Sequence, residues 1–285
     1  MLLLKEQHDV DKWKIPVPAK LFDTKEYKQG RLNTYCYLYA NAAQSAWTCT
    51  SLETLYRGIK QSNAITVKLS WCHDIVDTLT YLQSLGILET QGLDISRRRR
   101  MLRYRFTDNF IHAMLYGDKN FGNYVPVSLG EYNELRGATD KIKAEKMSVD
   151  TVLRVLCQTR EWIAYYMYGT GSRARFGMFY VTSFATYMGL SSKIVSQCFD
   201  ILEEFGSLEV RPGKYNHLTG KYDRSIIIDH LYGGEVKSAT RVGTPELDVY
   251  DPSMSGEDDQ WDADGDADGD DREEGSGEWN GGVGW

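Results

Sequence analysis

Two stretches of the chain repeat one pattern of hydrophobic and polar positions. In the downstream stretch, Thr182 or Ser183 is a candidate cap for a short helix that stops at Gly189, and Ser191 or Ser192 caps a second helix. Gly206 then ends this second helix. Its apolar residues fall at helical spacing, at Val195, Phe199, Leu202 and Phe205. The alternation in 208-LEVR-211 and the run 225-SIIIDHL-231 predict two strands joined by a basic loop.

The upstream stretch shows the same order about 120 residues earlier. A short helix is predicted in 50-TSLETLYRGI-59, with Glu53 three residues after Thr50 as a possible capping box. The second helix and first strand are predicted in 70-SWCHDIVDTLTYLQSLGILET-90. At a constant offset of 120, seven positions agree with the downstream copy, at Ile75, Leu79, Leu82, Leu85, Gly86, Leu88 and Glu89. The upstream copy carries eleven more residues, 60-KQSNAITVKLS-70, between its two helices.

Helix, turn, helix, strand, loop, strand is the chain order of a winged helix-turn-helix. A first helix is predicted for each copy, in 31–43 upstream and 149–169 downstream. The predicted fold class is therefore α+β, mainly α with small β wings, built from two winged helix-turn-helix domains in tandem. We expect domains at 15–110 and 149–232, and a linker with some structure at 111–148. Residues 240–285 are rich in Gly, Asp and Glu without apolar periodicity, so we expect a disordered acidic tail.

Charge divides the chain in the same way. The formal net charge is −7, but the segment from Thr240 to Trp285 holds fifteen acidic and two basic residues, a net of −13. The preceding 239 residues hold 31 basic and 25 acidic residues, a net of +6. The predicted folded body is thus basic, which favours an anionic partner.

The densest positive charge lies in 95-ISRRRRMLRYRF-106, where six arginines fall within a span of nine residues. These are Arg97, Arg98, Arg99, Arg100, Arg103 and Arg105. The first four are expected in the tip of the upstream wing, and alternation along the returning strand places Leu102, Tyr104 and Phe106 towards the core. Arginine suits bidentate phosphate contacts and narrow minor grooves. DNA contact, docking of the acidic tail and a plain solvated loop all remain open for this cluster.

The downstream copy predicts more direct contact with bases. The N-terminal face of its second helix offers short or basic hydrogen-bonding side chains, and its flanking loops add further cations. The helix residues are Ser192, Lys193, Ser196 and Gln197, and the loop residues are Arg173, Arg175, Lys214, Lys221 and Arg224. The upstream helix shows Trp71, His73, Asp74 and Asp77 instead, whose carboxylates phosphates would repel. The upstream domain is expected to act through its arginines, or partly in dimerisation.

The segments 15-IPVPAKLFD-23 and 31-RLNTYCYLYANAAQSAWTCTSLETLYRGI-59 resemble the N-terminal winged-helix module of replication initiators from plasmids and phages of Gram-positive bacteria. The downstream 186-TYMGLSSKIVSQCFDILEEFGSLEV-210 resembles winged-helix DNA binders in general. The resemblance covers about residues 15–110 and 149–232. It implies sequence-specific binding of double-stranded DNA at origin repeats and recruitment of host replication proteins. The insertion before Ser70 departs from a compact helix-turn-helix. A transcriptional repressor of a mobile element and a winged-helix protein–protein adaptor that does not bind DNA remain alternatives.

The sequence favours no enzymatic activity, cofactor or metal. It contains no G-x-x-x-x-G-K-[ST] phosphate loop and no His-x-His pair beside a nucleophilic tyrosine. The five cysteines are scattered and odd in number, which favours reduced, mostly buried thiols in a cytoplasmic protein. With DNA as its expected partner, the protein is expected to be nucleoid-associated. No apolar run reaches the length of a membrane helix, so no membrane partner is expected. The acidic tail, ending at Trp285, resembles in kind the tails by which single-stranded-DNA-binding proteins recruit partners, so it is a candidate arm for host replication proteins.

Overall fold

The computed structural model describes residues 14–42, 46–116, 124–170, 176–213, 215–216, 221–222 and 225–231. The predicted acidic tail at 240–285 lies outside the described residues. So do four of the predicted DNA-contacting residues, Arg173, Arg175, Lys214 and Arg224.

The upstream part alternates short helices with short strands. Its elements are β1 (Lys14–Pro18), α1 (Arg31–Asn41), β2 (Thr48–Thr50), α2 (Leu52–Lys60), α3 (His73–Ser84), β3 (Leu88–Gln91) and β4 (Leu102–Phe106). Ser51 caps α2 by accepting a hydrogen bond from the Thr54 N–H. The predicted capping box of Thr50 and Glu53 is therefore wrong, because the helix begins one residue later and the Glu53 carboxylate binds arginines instead.

The middle part forms α4 (Asp108–Tyr116), β5 (Tyr124–Ser128), α5 (Leu129–Gly137) and α6 (Thr139–Ala144). Strand β5 pairs antiparallel with β1, from Lys14 opposite Ser128 to Pro18 opposite Tyr124. Ser128 and Glu131 form a reciprocal capping box at the start of α5. The chain segment predicted as a linker thus supplies the partner of the first strand.

The downstream part begins with the longest helix in the described residues, and short elements follow it. The elements are α7 (Val149–Thr170), β6 (Phe176–Phe179), α8 (Val181–Met188), α9 (Ser192–Glu204), β7 (Leu208–Pro212), β8 (Tyr215–Asn216), β9 (Lys221–Tyr222) and β10 (Ser225–Asp229). Ser191 caps α9 by accepting from the Ile194 N–H, as one of the two predicted caps. Thr182 and Ser183 are wrong as caps of α8, because the helix begins at Val181 and both lie inside it.

The two parts repeat one topology. Each has a helix, a strand, two further helices and two longer strands, and the short strands β8 and β9 are inserted between the two downstream ones. Each part forms a three-stranded sheet with the last strand in the centre, in the orders β2-β4-β3 and β6-β10-β7. All pairings in both sheets are antiparallel. Gly86 and Gly206, at the offset of 120, end the second helices with φ of 69° and 67°. The mixed α+β class is as predicted. The core positions are confirmed as buried at Ile75, Leu79, Leu82, Val195, Phe199 and Leu202.

The buried side chains of the two repeats belong to one hydrophobic core. Helix α1 packs against α3 of its own repeat and against α7 of the other. Asp150 of α7 secures this contact by accepting a hydrogen bond from the Asn33 N–H at 2.8 Å and another from the Tyr27 hydroxyl. A buried carboxylate from one repeat therefore caps the first helix of the other.

A buried ionic cluster joins the middle part to the downstream repeat. The Arg160 guanidinium, 1% exposed, donates from Nε and Nη2 to Asp229 at 3.0 Å, from Nη1 and Nη2 to Glu131 at 3.0 and 2.5 Å, and from Nη1 to the Pro126 carbonyl at 2.8 Å. All five of its N–H donors are thereby satisfied. Burial alone would raise the pKa of Glu131, but attraction by Arg160 outweighs burial and holds that pKa below its usual value.

In the described part of the chain, no helix is both long and apolar enough to cross a membrane.

Replacing Arg160 tests this cluster. We expect Arg160→Met to lower the free energy of unfolding by about 3–5 kcal/mol, because Glu131 and Asp229 stay buried without a counterion. Urea unfolding measures the loss. The matched control adds Glu131→Gln and Asp229→Asn to Arg160→Met. It removes the unpaired charges and should recover part of the lost free energy of unfolding. An Arg160→Met chain as stable as the wild type would contradict the assignment.

The same cluster has a pH signature. In the wild type, the stabilisation from Glu131 is complete above its usual pKa of 4.5 and is lost as the pH falls through its lowered pKa. In Arg160→Met, protonation of the unpaired Glu131 relieves the buried charge, so stability gains as the pH falls. The loss of stability in Arg160→Met should therefore begin to shrink above pH 4.5, where the unpaired Glu131 takes up a proton, and should shrink further below pH 4.5, where the wild type loses its stabilisation. Urea unfolding of both proteins over a pH series measures the difference.

Candidate nucleic-acid interface

The hairpin of β3 and β4 presents the arginine cluster on one face. Its register places Glu89 opposite Arg105 and Gln91 opposite Arg103. As predicted from the alternation, the apolar side chains of β4 are buried and its arginines face outward. Leu102 and Tyr104 are 1% exposed and Phe106 is 4% exposed. Because successive side chains of a strand point to opposite faces, β4 has one hydrophobic face and one cationic face.

The turn of this hairpin has a defined conformation. Gly92 has a φ of 76°, and a Cβ there would lie 2.9 Å from the Met101 carbonyl oxygen, so glycine is required. Asp94 then caps a single 3₁₀ turn over Ile95–Arg97 by accepting from the N–H and hydroxyl of Ser96, at 2.9 and 2.6 Å. These bonds to Ser96 lower the pKa of the Asp94 carboxyl. The arginines therefore lie in and directly after a turn whose backbone conformation is fixed by hydrogen bonds.

Three of the six arginines are paired with carboxylates. Arg97 lies 3.5 Å from Asp94, Arg99 lies 2.9 Å from Glu53, and Arg105 lies 2.8 Å from Glu89. Arg105 also stacks over the Trp47 ring, with its guanidinium carbon 5.0 Å from the centroid.

The other three, Arg98, Arg100 and Arg103, take part in no ion pair among the described residues. Arg98 is half-buried, and its carbonyl accepts from the Glu53 N–H at 3.2 Å, which ties the turn to the start of α2. Arg100 and Arg103 are exposed. Those two are consequently the cations best placed to meet an anion.

Glu53 organises the region, although the sequence predicted it only as part of a capping box. It is 6% exposed and accepts from Arg57 at 2.6 Å and from Arg99 at 2.9 Å. Arg57 also donates to the carbonyls of Ala64 and Ile65, at 3.1 and 2.8 Å. One carboxylate thus holds both the arginine turn and the eleven-residue insertion. The i,i+4 spacing of Glu53 and Arg57 was the available signal.

The exposed face of α3 is partly covered by residues 26–31. Lys28 donates to Asp77 at 2.6 Å, which lowers the pKa of Asp77. The Tyr81 hydroxyl donates to Glu26 at 2.5 Å, and the Arg31 guanidinium carbon lies 3.8 Å above the Tyr81 ring. The upstream second helix therefore offers less free surface and a partly neutralised carboxylate.

On α9, the predicted base-contacting residues are only partly exposed. Lys193 and Ser196 are exposed, and Ser192 is half-buried. The Gln197 amide donates to the Glu145 carboxylate at 2.7 Å, so a base would have to displace Glu145. Lys221 lies in β9, with its backbone opposite Asn216 of β8.

The remaining reactive side chains have structural surroundings. Four of the five cysteines are buried and Cys49 is exposed, and all five are free. Burial raises the pKa of Cys198 to about 12, and it also raises the pKa of Cys36, Cys72 and Cys157. Raised values hold these sulfurs in the thiol form, which is a poor nucleophile. Within the described ranges, no cluster of three or more His, Cys, Asp or Glu could hold a metal ion.

A comparison of the chain with protein-family models found no match, and comparisons with curated proteins and with solved structures found none either.

Glu53 is buried and its partner Arg99 is exposed, so we expect their replacement to change the free energy of unfolding by different amounts. Glu53→Ala should lower the free energy of unfolding by about 1.5–3 kcal/mol, since it removes a buried carboxylate that has two arginine partners. Arg99 is 68% exposed, so Arg99→Ala should cost less than about 1 kcal/mol. Chemical unfolding compares the two variants, with Arg97→Ala as the matched surface control. Equal losses for Glu53→Ala and Arg99→Ala would refute this account.

Proposed function

We propose that the protein is a sequence-specific double-stranded-DNA-binding protein with two winged helix-turn-helix units, and that it acts as a plasmid or phage replication initiator. The observation that carries DNA binding is the pair of exposed arginines, Arg100 and Arg103, on a hairpin that follows two helices. The repetition of this topology downstream supports the same interpretation. In this fold the hairpin is the wing, which lies along the sugar–phosphate backbone or in the minor groove.

The upstream unit contributes charge. Arg98, Arg100 and Arg103 bind backbone phosphates, and Arg97 exchanges its partly exposed partner Asp94 for a phosphate. Arg99 and Arg105 keep their carboxylate partners and position the hairpin. Such contacts set affinity and orientation without reading sequence. The coverage of α3 by residues 26–31 agrees with a unit that acts through its wing.

The downstream unit contributes sequence preference. Lys193 and Ser196 lie one turn apart on the exposed face of α9, near its N-terminus, where recognition helices meet base edges. Lysine donates hydrogen bonds to guanine O6 and N7. The serine hydroxyl can donate to an acceptor or accept from a donor on a base edge. Gln197 joins them if Glu145 yields its amide, and Ser192 contacts the backbone at the helix start.

Initiation of replication is proposed over repression on the sequence resemblance at 15–59, and the acidic segment ending at Trp285 is the proposed arm for host replication proteins. Iteron-like repeats beside the coding region would favour the initiator, and a divergent promoter would favour a transcriptional repressor. A protein–protein adaptor is the remaining alternative, and it would show no salt-sensitive affinity for duplex DNA.

Removing unpaired arginines tests the wing. Arg100→Ala with Arg103→Ala should weaken binding to all duplex sequences alike and make the salt dependence of log K shallower by about 0.9 for each phosphate that the wing no longer neutralises. Fluorescence anisotropy over a salt series measures both. The control is Lys20→Ala with Lys25→Ala, which removes two exposed charges elsewhere. Unchanged affinity in the arginine variant would exclude the wing as a DNA contact.

Base reading predicts a different result for α9. Lys193→Ala and Ser196→Ala should each reduce discrimination between the preferred site and mismatched duplexes by about 1–3 kcal/mol, because each removes a hydrogen bond to a base edge. Selection from a randomised duplex library identifies the preferred site, and competition titrations measure discrimination. Asp200→Asn, on the exposed face of the same helix, is the control. Uniform loss across all sequences would assign these residues to the backbone instead.

A further inference from the structure

Two adjoining clefts run between the repeats. The larger, of about 440 Å³, lies between the end of α2, the starts of α1 and α3, and the α6–α7 connection. The smaller, of about 320 Å³, continues to the N-terminus of α9, where Leu190 and Ile194 line it. They share Gln29, Met147 and Ser148, so they form one groove that leads from the upstream second helix to the downstream one. We call it the inter-repeat groove.

The inter-repeat groove is lined by cations. Exposed lysines border both clefts, at Lys28, Lys60 and Lys143 in the larger and at Lys146 in the smaller. Lys28 is paired with Asp77 at 2.6 Å, and Lys143 lies 3.9 Å from the fully exposed Asp140. Lys60 and Lys146 form no ion pair within the described part of the chain.

Few negative charges oppose these lysines. The lining includes two carboxylates, Asp74 and Asp150. Asp150 is 2% exposed, and its oxygens already accept hydrogen bonds from Tyr27 and Asn33 within the fold. Asp74 alone is an exposed carboxylate in the lining.

Lys146 occupies a backbone position that favours glycine. Its φ is 60°, in the left-handed region, and it follows α6, where the Met147 N–H bonds to the Ile142 carbonyl at 3.1 Å and the Lys146 N–H to the Lys143 carbonyl at 2.9 Å. This is a helix C-terminal motif that usually carries glycine. A lysine at this point keeps a strained backbone and places a cation at the groove, and strained backbone positions cluster at functional sites.

We propose that the inter-repeat groove binds the sugar–phosphate backbone of one strand of the duplex that the two helix-turn-helix units contact. The proposal rests on the proposed function and extends the DNA contact surface to a site between the repeats. Clefts of this volume accommodate groups the size of a small ligand, so a duplex stays outside and only one backbone edge enters. Lysines provide mobile point charges, which suit a row of phosphates without selecting a base sequence.

The continuity of the groove argues for a polymer over an isolated anion. Lys60 lines the larger cleft and Lys146 the smaller, and the two clefts share Met147 and Ser148. An isolated anion occupies one cleft, whereas a backbone with regularly spaced phosphates offers one phosphate to each cleft. Its downstream end is the N-terminus of α9, beside the predicted base-contacting residues.

The test uses the full chain, with Lys60→Ala and Lys146→Gly combined. The glycine removes the charge and relieves the left-handed backbone, so we expect an equal or higher Tm. Binding to a short mixed-sequence duplex should weaken by about five- to tenfold per lysine at about 0.1 M salt, and the salt slope should become shallower by about 0.9 per lysine. The charge-matched control is Lys20→Ala with Lys25→Ala, which line neither cleft.

A labelled peptide of residues 257–285 serves as the second probe, because the acidic segment of this chain is a competing anion. Weaker duplex binding by the groove variant, with Tm maintained and the control unchanged, supports the proposal. Unchanged duplex affinity overturns it while leaving the wing interaction intact if Arg100→Ala with Arg103→Ala still weakens binding. Abolished peptide binding with unchanged duplex binding also overturns it and assigns the groove to the acidic segment. A wild-type chain without duplex affinity overturns both this proposal and the proposed function.

Discussion

The ionic cluster of Arg160 is the constraint on which the arrangement of the chain depends. A buried guanidinium offers five N–H donors, and here their acceptors come from three elements: Glu131 at the start of α5, Asp229 in the last strand, and the Pro126 carbonyl in β5. Because β5 also pairs with β1, the first strand of the chain is linked through this cluster to the final sheet. Shifting α5 or the last strand would leave a buried charge without its partner, and that loss costs more free energy than the intact cluster contributes. The cluster therefore specifies one arrangement of the middle part against the downstream repeat.

Within that arrangement the two repeats share a topology and differ in surface chemistry. The upstream repeat concentrates its cations on the β3–β4 hairpin, and a single carboxylate, Glu53, holds the turn and the insertion in place. Its second helix is partly covered by residues 26–31. The downstream repeat has the reverse distribution, with Lys193 and Ser196 exposed on the second helix. Under the proposed function, one repeat supplies electrostatic affinity and the other supplies sequence preference, and the inter-repeat groove connects them.

Local patterns predicted much of the fold because they depend on nearby residues. The periodicity of α3 and α9, the glycines at 86 and 206, and the alternation along β4 all identified buried or left-handed positions correctly. Helix starts were less predictable, since Ser and Thr occur at several adjacent positions and only one of them receives the N–H bond. The pairing of β1 with β5 was not predicted, because its strands are separated by more than a hundred residues and carry no local signal for each other.

The sequence by itself determined the repeated order of elements, the hydrophobic and cationic faces of the arginine strand, and the contrast between a basic body and an acidic C-terminal segment. These follow from the spacing of residue types and from the distribution of charge along the chain. Only the tertiary structure decided which charges are available. It paired Arg99 with Glu53, Arg105 with Glu89 and Gln197 with Glu145, and it left Arg100, Arg103, Lys60 and Lys146 outside any ion pair in the described part of the chain. The reason is physical: Coulomb attraction and hydrogen bonding act over a few ångströms in space, and residues far apart in sequence meet only when the core has formed.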